Sequence, residues 1–148
     1  MKIMGFSIKK ISAEAKSQPK GKLEVKQGIN INNIAKEEVP ISDKPALKFD
    51  FTFSIDYAPG IAKIEMLGSI ITLDDKDESK EILKEWKKKK FSDAGIKVPL
   101  FNFIMSKCNI KALQLEEELG LPFHIPMPRV APSQESNQQN NNPANYAG

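Results

Sequence analysis

The residues that most often carry chemistry are nearly missing from this chain. Among 148 residues there is one cysteine, one histidine and one tryptophan, and Arg129 is the lone arginine. A single cysteine excludes an intramolecular disulfide framework and any multi-cysteine metal site. Cys108 falls on an apolar helix stripe, so it reads as a buried structural thiol. A catalytic histidine needs a positioned nucleophile or carboxylate, and no spacing around His124 implies one. His124 sits between apolar residues in a proline-rich segment, which suits packing or a single hydrogen bond. Arginine is the usual residue for base edges and bidentate phosphate contacts, and it is scarce here. There is no Gly-rich phosphate loop or Walker pattern. The acidic run Asp74, Asp75, Asp77 and Glu78 lacks the glycine and terminal glutamate of an EF-hand, so it reads as a solvated loop. No metal and no cofactor is expected. Nor is there a run of about 18 uncharged apolar residues, so no membrane span is expected. MKIMGFSIKK returns to lysine before a signal core develops, and a cytosolic protein is the expectation.

What is present is a modest core and an uneven charge. An apolar content of 40% is near that of ordinary globular chains, and the length suits one domain with a tail. The net charge is +3, but residues 1–30 hold seven lysines against Glu14 and Glu24, which is +5. Lys87–Lys90 is a second cluster. Such enrichment attracts nucleic acid or acidic partners, although a lysine run near a helix C-terminus is also an ordinary solvated helix end.

Residues 3–14 alternate, with Met4, Phe6 and Ile8 on one face and Ile11 and Ala13 out of parity, so a bulge is expected near Lys9–Lys10. Leu23, Val25, Ile29 and Ile31 alternate with polar residues as a second strand, with Gly28 a weak point or bulge. Residues 33–46 read as a connection. The clearest strand is Leu47–Tyr57, where Leu47, Phe49, Phe51, Phe53, Ile55 and Tyr57 alternate strictly with polar residues. Its phenylalanines fit core better than a base-stacking platform. Ala58-Pro59-Gly60-Ile61 has a type II signature, and an even-length loop pairs positions whose numbers sum to 119. Phe51 then faces Gly68, which gives the ring space. A one-residue slip would set core against charge. Ser79 is the expected cap of a short helix, Lys80–Lys90, with Ile82, Leu83 and Trp86 inward.

The stretch Val98–Val130 organises the rest. Pro99 suits a first helical position; Gly120 and Pro122 end the helix. Phe101, Ile104, Met105, Cys108, Ala112, Leu115 and Leu119 form one stripe, and Lys107, Lys111, Gln114 and Glu118 line the solvent side, with Glu116–Glu118 read as a helix face. A helix of about 20 residues is roughly 30 Å long and covers a small sheet. Phe103, Ile110 and Leu113 lie on the opposite side. Either another subunit covers them or a kink near Ser106–Asn109 splits the helix. The extended stretch Leu121–Met127 (LPFHIPM) is apolar and short of backbone donors, and Leu121, Phe123, His124, Ile125 and Met127 are its candidate polypeptide-binding residues. Residues 131–148, rich in Asn, Gln, Ser and Pro, read as a disordered tail.

Strand, strand, hairpin, short helix and long helix make an α+β layer, a four-stranded antiparallel sheet with a long C-terminal helix packed on one face. The order of elements, Pro99, the apolar run Leu100–Met105, Cys108 and the extended Leu121–Val130 resemble the SecB family of export chaperones, specifically its divergent archaeal members. The opening strand with Phe6, Ile8 and Ile11 is also SecB-like. The resemblance covers about residues 3–130, within one domain expected over residues 1–130. It implies a non-enzymatic homo-oligomer, dimer or tetramer, with an apolar groove for unfolded or extended polypeptide and with Phe103, Ile110 and Leu113 at an interface. SecB proper is acidic, and the acidic surface it presents to its motor partner has no counterpart here. The alternative, from another class, is a ribosome-associated, rRNA-binding structural protein on the same fold, contacting phosphate through Lys9, Lys10, Lys20, Lys22, Lys87, Lys88, Lys89 and Lys90.

Overall fold

The computed structural model describes residues 1–18 and 21–131; Lys20 and the tail assigned to residues 131–148 beyond its first residue lie outside them. Strands β1 (Lys2–Ala15), β2 (Glu24–Glu37), β3 (Ala46–Ala58) and β4 (Ala62–Leu73) precede helices α1 (Lys76–Lys87) and α2 (Ala94–Leu119). The strands form one antiparallel sheet in the order β1-β4-β3-β2, which leaves β1 and β2 as its edges. Phe49, Phe51, Phe53, Ile55, Ile64, Met66 and Ile70 are buried on one face together with Ile82 of α1 and Leu100, Ile104 and Cys108 of α2. This is the expected α+β layer.

The β3–β4 hairpin keeps the register expected from alternation. Ile55 faces Ile64, Phe53 faces Met66, Phe51 faces Gly68 and Phe49 faces Ile70. A Cβ on Gly68 would lie 2.7 Å from Phe51 Cζ, so only glycine leaves that ring its place. The turn differs from the type II expectation: the Ala58–Pro59 peptide is cis, and Gly60 follows at φ 61°.

In β1 the register shifts between Ile8 and Lys10, as the break in parity requires, and again between Ile3 and Gly5. The first shift lets Ile8 face Gly68 and Ile11 face Met66 on the same side. β2 runs further than its sequence suggests. A bulge between Ile31 and Asn33 changes parity, so Ile31 and Ile34 are both buried and the strand continues to Glu37. Gly28 pairs regularly with Ser54 and is no bulge.

Both helices begin earlier than expected. Asp75, not Ser79, precedes α1, and Ser79 is buried inside its first turns. Asp93 caps α2, its carboxylate accepting from Gly95 N at 2.9 Å. Pro99 therefore lies in the second turn, where it lacks the N–H that would bond Gly95 O, a modest loss so near the N-terminus. Gly120 ends α2 in the left-handed conformation at φ 66°, and Leu121 N donates back to Glu116 O at 2.8 Å.

The buried line on α2 is Ile96, Leu100, Ile104, Cys108, Ala112 and Glu116, spaced by four. Each step advances about 40° beyond a full turn, so the line winds roughly 200° around the helix. It follows a twisted sheet rather than the fixed stripe that averaging the sequence suggests. The helix runs unbroken through Ser106–Asn109, which removes the kink as an explanation for its second apolar side.

Candidate functional site

Two surfaces stand out, one built by the C-terminal end of α2 and one by the junction of α1 and α2.

At the first, the drifting buried line delivers a carboxylate, Glu116, into the core at 0% exposure. The Tyr57 hydroxyl, from the end of β3, donates to Glu116 Oε2 at 2.5 Å and to the Pro122 carbonyl at 2.6 Å. It has one proton, which the two acceptors share. His124 N donates to Glu116 Oε2 at 2.7 Å, and His124 Nδ1 meets Glu116 Oε1. Nε2 of the same ring lies 2.9 Å from Asn109 Oδ1, which also accepts from Gln27 Nε2 at 3.1 Å. Burial first, and then the Glu116 carboxyl, push the Tyr57 hydroxyl far above the ordinary tyrosine range, so it stays a donor.

This network joins β2, β3, α2 and the segment beyond α2. A Tyr–Glu–His set resembles a reaction centre, but the His124 and Glu116 side chains are 1% and 0% exposed, closed off from solvent among the described residues. The arrangement works as a clamp. It holds Leu121 in the core and fixes the extended strap that follows. Of the residues the sequence nominates for polypeptide binding, Leu121 and His124 thus turn inward and Ile125 is half-buried. Phe123 and Met127 are 43% and 53% exposed, so the clamp aims apolar side chains outward from a backbone short of donors.

The second surface is a groove of about 660 Å³ beside β2. Trp86, Phe91 and Phe101 form its half-buried floor, and Ile29–Ile31 form one wall. Lys87, Lys89 and Lys97 line it as well. Lys97 Nζ stands 5.4 Å over the Phe101 ring, and the Phe91 ring is 6.1 Å from Phe49. Lys89 holds φ 55°, a left-handed position where glycine is usual. Its N–H bonds Trp86 O at 3.0 Å. Sequence reasoning missed this groove, because it joins three stretches that carry no common motif.

Lys9 and Lys10 are exposed on edge strand β1, while Lys87–Lys90 lie at the end of α1, beside the opposite edge, β2. Lys22 is exposed on the connection into β2. The described lysines therefore do not share one face. Lys88 and Lys90 border a smaller depression with Glu81 and Glu85. On α2, Phe103 packs edge-on against Phe6 at 5.7 Å, Leu113 is half-buried, and Ile110 is 63% exposed. Asp74 is buried and accepts from Thr72 Oγ1 at 2.6 Å. No group of three His, Cys, Asp or Glu side chains among the described residues could hold a metal. No described helix is long and apolar enough to cross a membrane.

No protein-family model matches the chain, and no curated protein matches it in sequence. Among solved structures it is similar to a SecB-like chaperone of Mycobacterium tuberculosis, solved in complex with a ChAD peptide from an antitoxin. The two are 14% identical, the match covers 88% of this chain and 91% of that chain, and the TM-score is 0.46.

Proposed function

We propose that this protein is a non-enzymatic, SecB-like chaperone or holdase that binds unfolded or extended polypeptide by apolar contact. The observation that carries the reading is the clamped strap. A buried carboxylate, a tyrosine and a histidine are committed to holding a proline-rich segment, whose Phe123 and Met127 are left exposed. A segment with few backbone donors and outward apolar side chains presents contact surface without competing for its own hydrogen bonds. The aromatic floor of the groove adds a second apolar surface on the same layer. Neither surface needs a nucleotide, metal or cofactor. The reading includes a cytoplasmic homo-oligomer joined through the second side of α2, at Phe103, Ile110 and Leu113, of which Ile110 is the most exposed.

The test is binding of a fluorescent, reduced and alkylated polypeptide of low net charge, followed by anisotropy at low and high salt. Saturable binding that barely changes with salt, and that weakens in a Phe123→Ser/Met127→Ser double variant, supports the reading. Absence of binding overturns it. So does a protein that purifies with nucleic acid and sheds it steeply as salt rises, the signature of phosphate contacts.

A further inference from the structure

We propose that the groove between β2 and the α1–α2 junction takes an acidic, extended peptide segment, which adds to the free edge of β2 as a further strand. Its apolar side chains rest on Trp86, Phe91 and Phe101, and its carboxylates meet Lys87, Lys89 and Lys97. This rests on the polypeptide-binding reading above and gives it a site and a charge preference.

Among the described residues β2 pairs only with β3, and its register is unbroken from Glu24 to Ile31. Sheet edges are ordinarily blunted by lysine, proline, inward charge or a β-bulge. Between Lys26 and Ile31, ahead of the bulge at Ile31/Asn33, β2 has no charged residue, no proline and no bulge. Asn30 and Asn32 are engaged with each other at 3.0 Å, and Asn32 with Thr52 at 2.7 Å. These bonds run along the sheet face away from the helices, where Asn30 pairs with Thr52, so they do not cover the edge. A strand added there gains main-chain hydrogen bonds, and its alternate side chains point toward the helix layer. The groove lies on that side.

Three lysines line the groove, and no acidic side chain does among the described residues. Lys89 stands there in a left-handed backbone conformation, which costs a lysine and would cost a glycine nothing. A strained cation beside an apolar floor fits a binding role better than a solvated helix end.

The rings argue against nucleic acid as occupant. Stacking needs free aromatic faces. Phe101 has Lys97 over its ring and Phe91 is tilted against Phe49, so both offer edges that aliphatic side chains can pack on but no open face for a base; Trp86 is the one lining ring with no such partner among the described residues, and the groove has no arginine.

Trp86 is the chain's single tryptophan, so its emission reports on the groove. The full chain is titrated with a short peptide of alternating valine and serine flanked by glutamates. The comparison probes carry lysines for the glutamates, backbone N-methylation at alternate residues, or a uridine oligonucleotide. The glutamate peptide is expected to shift Trp86 emission saturably. The lysine peptide is expected to bind about tenfold more weakly, the scale of a few partly exposed ion pairs. The N-methylated peptide is expected not to bind, and a Lys87→Glu/Lys89→Glu/Lys97→Glu variant to reverse the preference. Lys89→Gly, which relieves the backbone and keeps the fold, is expected to weaken the glutamate peptide alone. Equal binding of both charge forms, undiminished binding of the N-methylated peptide, or a response to the oligonucleotide alone overturns the proposal. No response to any peptide, with the low-charge unfolded polypeptide still bound, overturns the groove and leaves the polypeptide-binding reading standing. Loss of both overturns both.

Discussion

Replacing Tyr57 with phenylalanine removes one oxygen from the clamp and leaves the ring in place. The ring is 1% exposed and packed in the core, so no cavity larger than a hydroxyl forms. What is lost is a donor shared by the Glu116 carboxyl at 2.5 Å and the Pro122 carbonyl at 2.6 Å. Glu116 keeps the His124 contacts, while the Pro122 carbonyl loses its donor. A hydrogen bond to a charged group contributes about 1.5–3 kcal/mol, so Tyr57→Phe is expected to cost about 2 kcal/mol. For a domain of this size that is a fall of roughly 6 °C in Tm. Urea unfolding reads it as a lower midpoint at unchanged slope. Limited proteolysis is expected to open the strap at residues 121–131 before the rest of the fold. The pH dependence follows from the direction of the Tyr57 shift. A hydroxyl whose folded pKa is raised contributes stability that is present below the unfolded value near 10 and lost as pH climbs above it. Tyr57→Phe should therefore flatten the alkaline limb of the stability curve. A cost below about 0.5 kcal/mol with unchanged proteolysis would refute the clamp.

Gly68→Ala drives a Cβ into the Ser7 backbone carbonyl of β1 and to 2.7 Å from Phe51 Cζ, and because backbone must shift it is expected to cost about 3 kcal/mol, the upper part of the range for overpacking a tight core; chemical denaturation checks it. Burial pushes the Cys108 thiol up to about 11. Its contribution to stability is full below the ordinary thiol range and declines as pH rises toward 11, and Cys108→Ala should remove that part of the decline in denaturation curves taken across the window. Lys89→Gly relieves a left-handed lysine and is expected to raise stability by about 1 kcal/mol, seen as a higher thermal midpoint.

Local pattern fixed much of this fold. The β3–β4 register was legible because strict alternation forbids a one-residue slip, and the β1 bulge because Ile8 and Ile11 differ in parity. The second half of β2 was hidden by the same device: the bulge at Ile31/Asn33 reads, without a partner strand, as the end of alternation. Pro99 drew the start of α2 too late, since the cap at Asp93 is short-range and easily masked by a stronger helix signal. Glu116 stands beside Glu117 and Glu118 and looks solvated. Its burial depends on Tyr57, 59 positions away, and on a His124 that only the turn at Gly120 brings back. The groove combines residues 29–31, 86–91 and 97–101, and each looked ordinary alone.

The most direct measurement is light scattering from an aggregating, chemically unfolded client as the protein is added, without nucleotide, with the absorbance ratio of the purified protein recorded alongside. Suppression is expected to saturate at a fixed stoichiometry, from protein free of nucleic acid. Unchanged aggregation at every ratio, or suppression that vanishes once bound nucleic acid is removed, would contradict the polypeptide-binding reading.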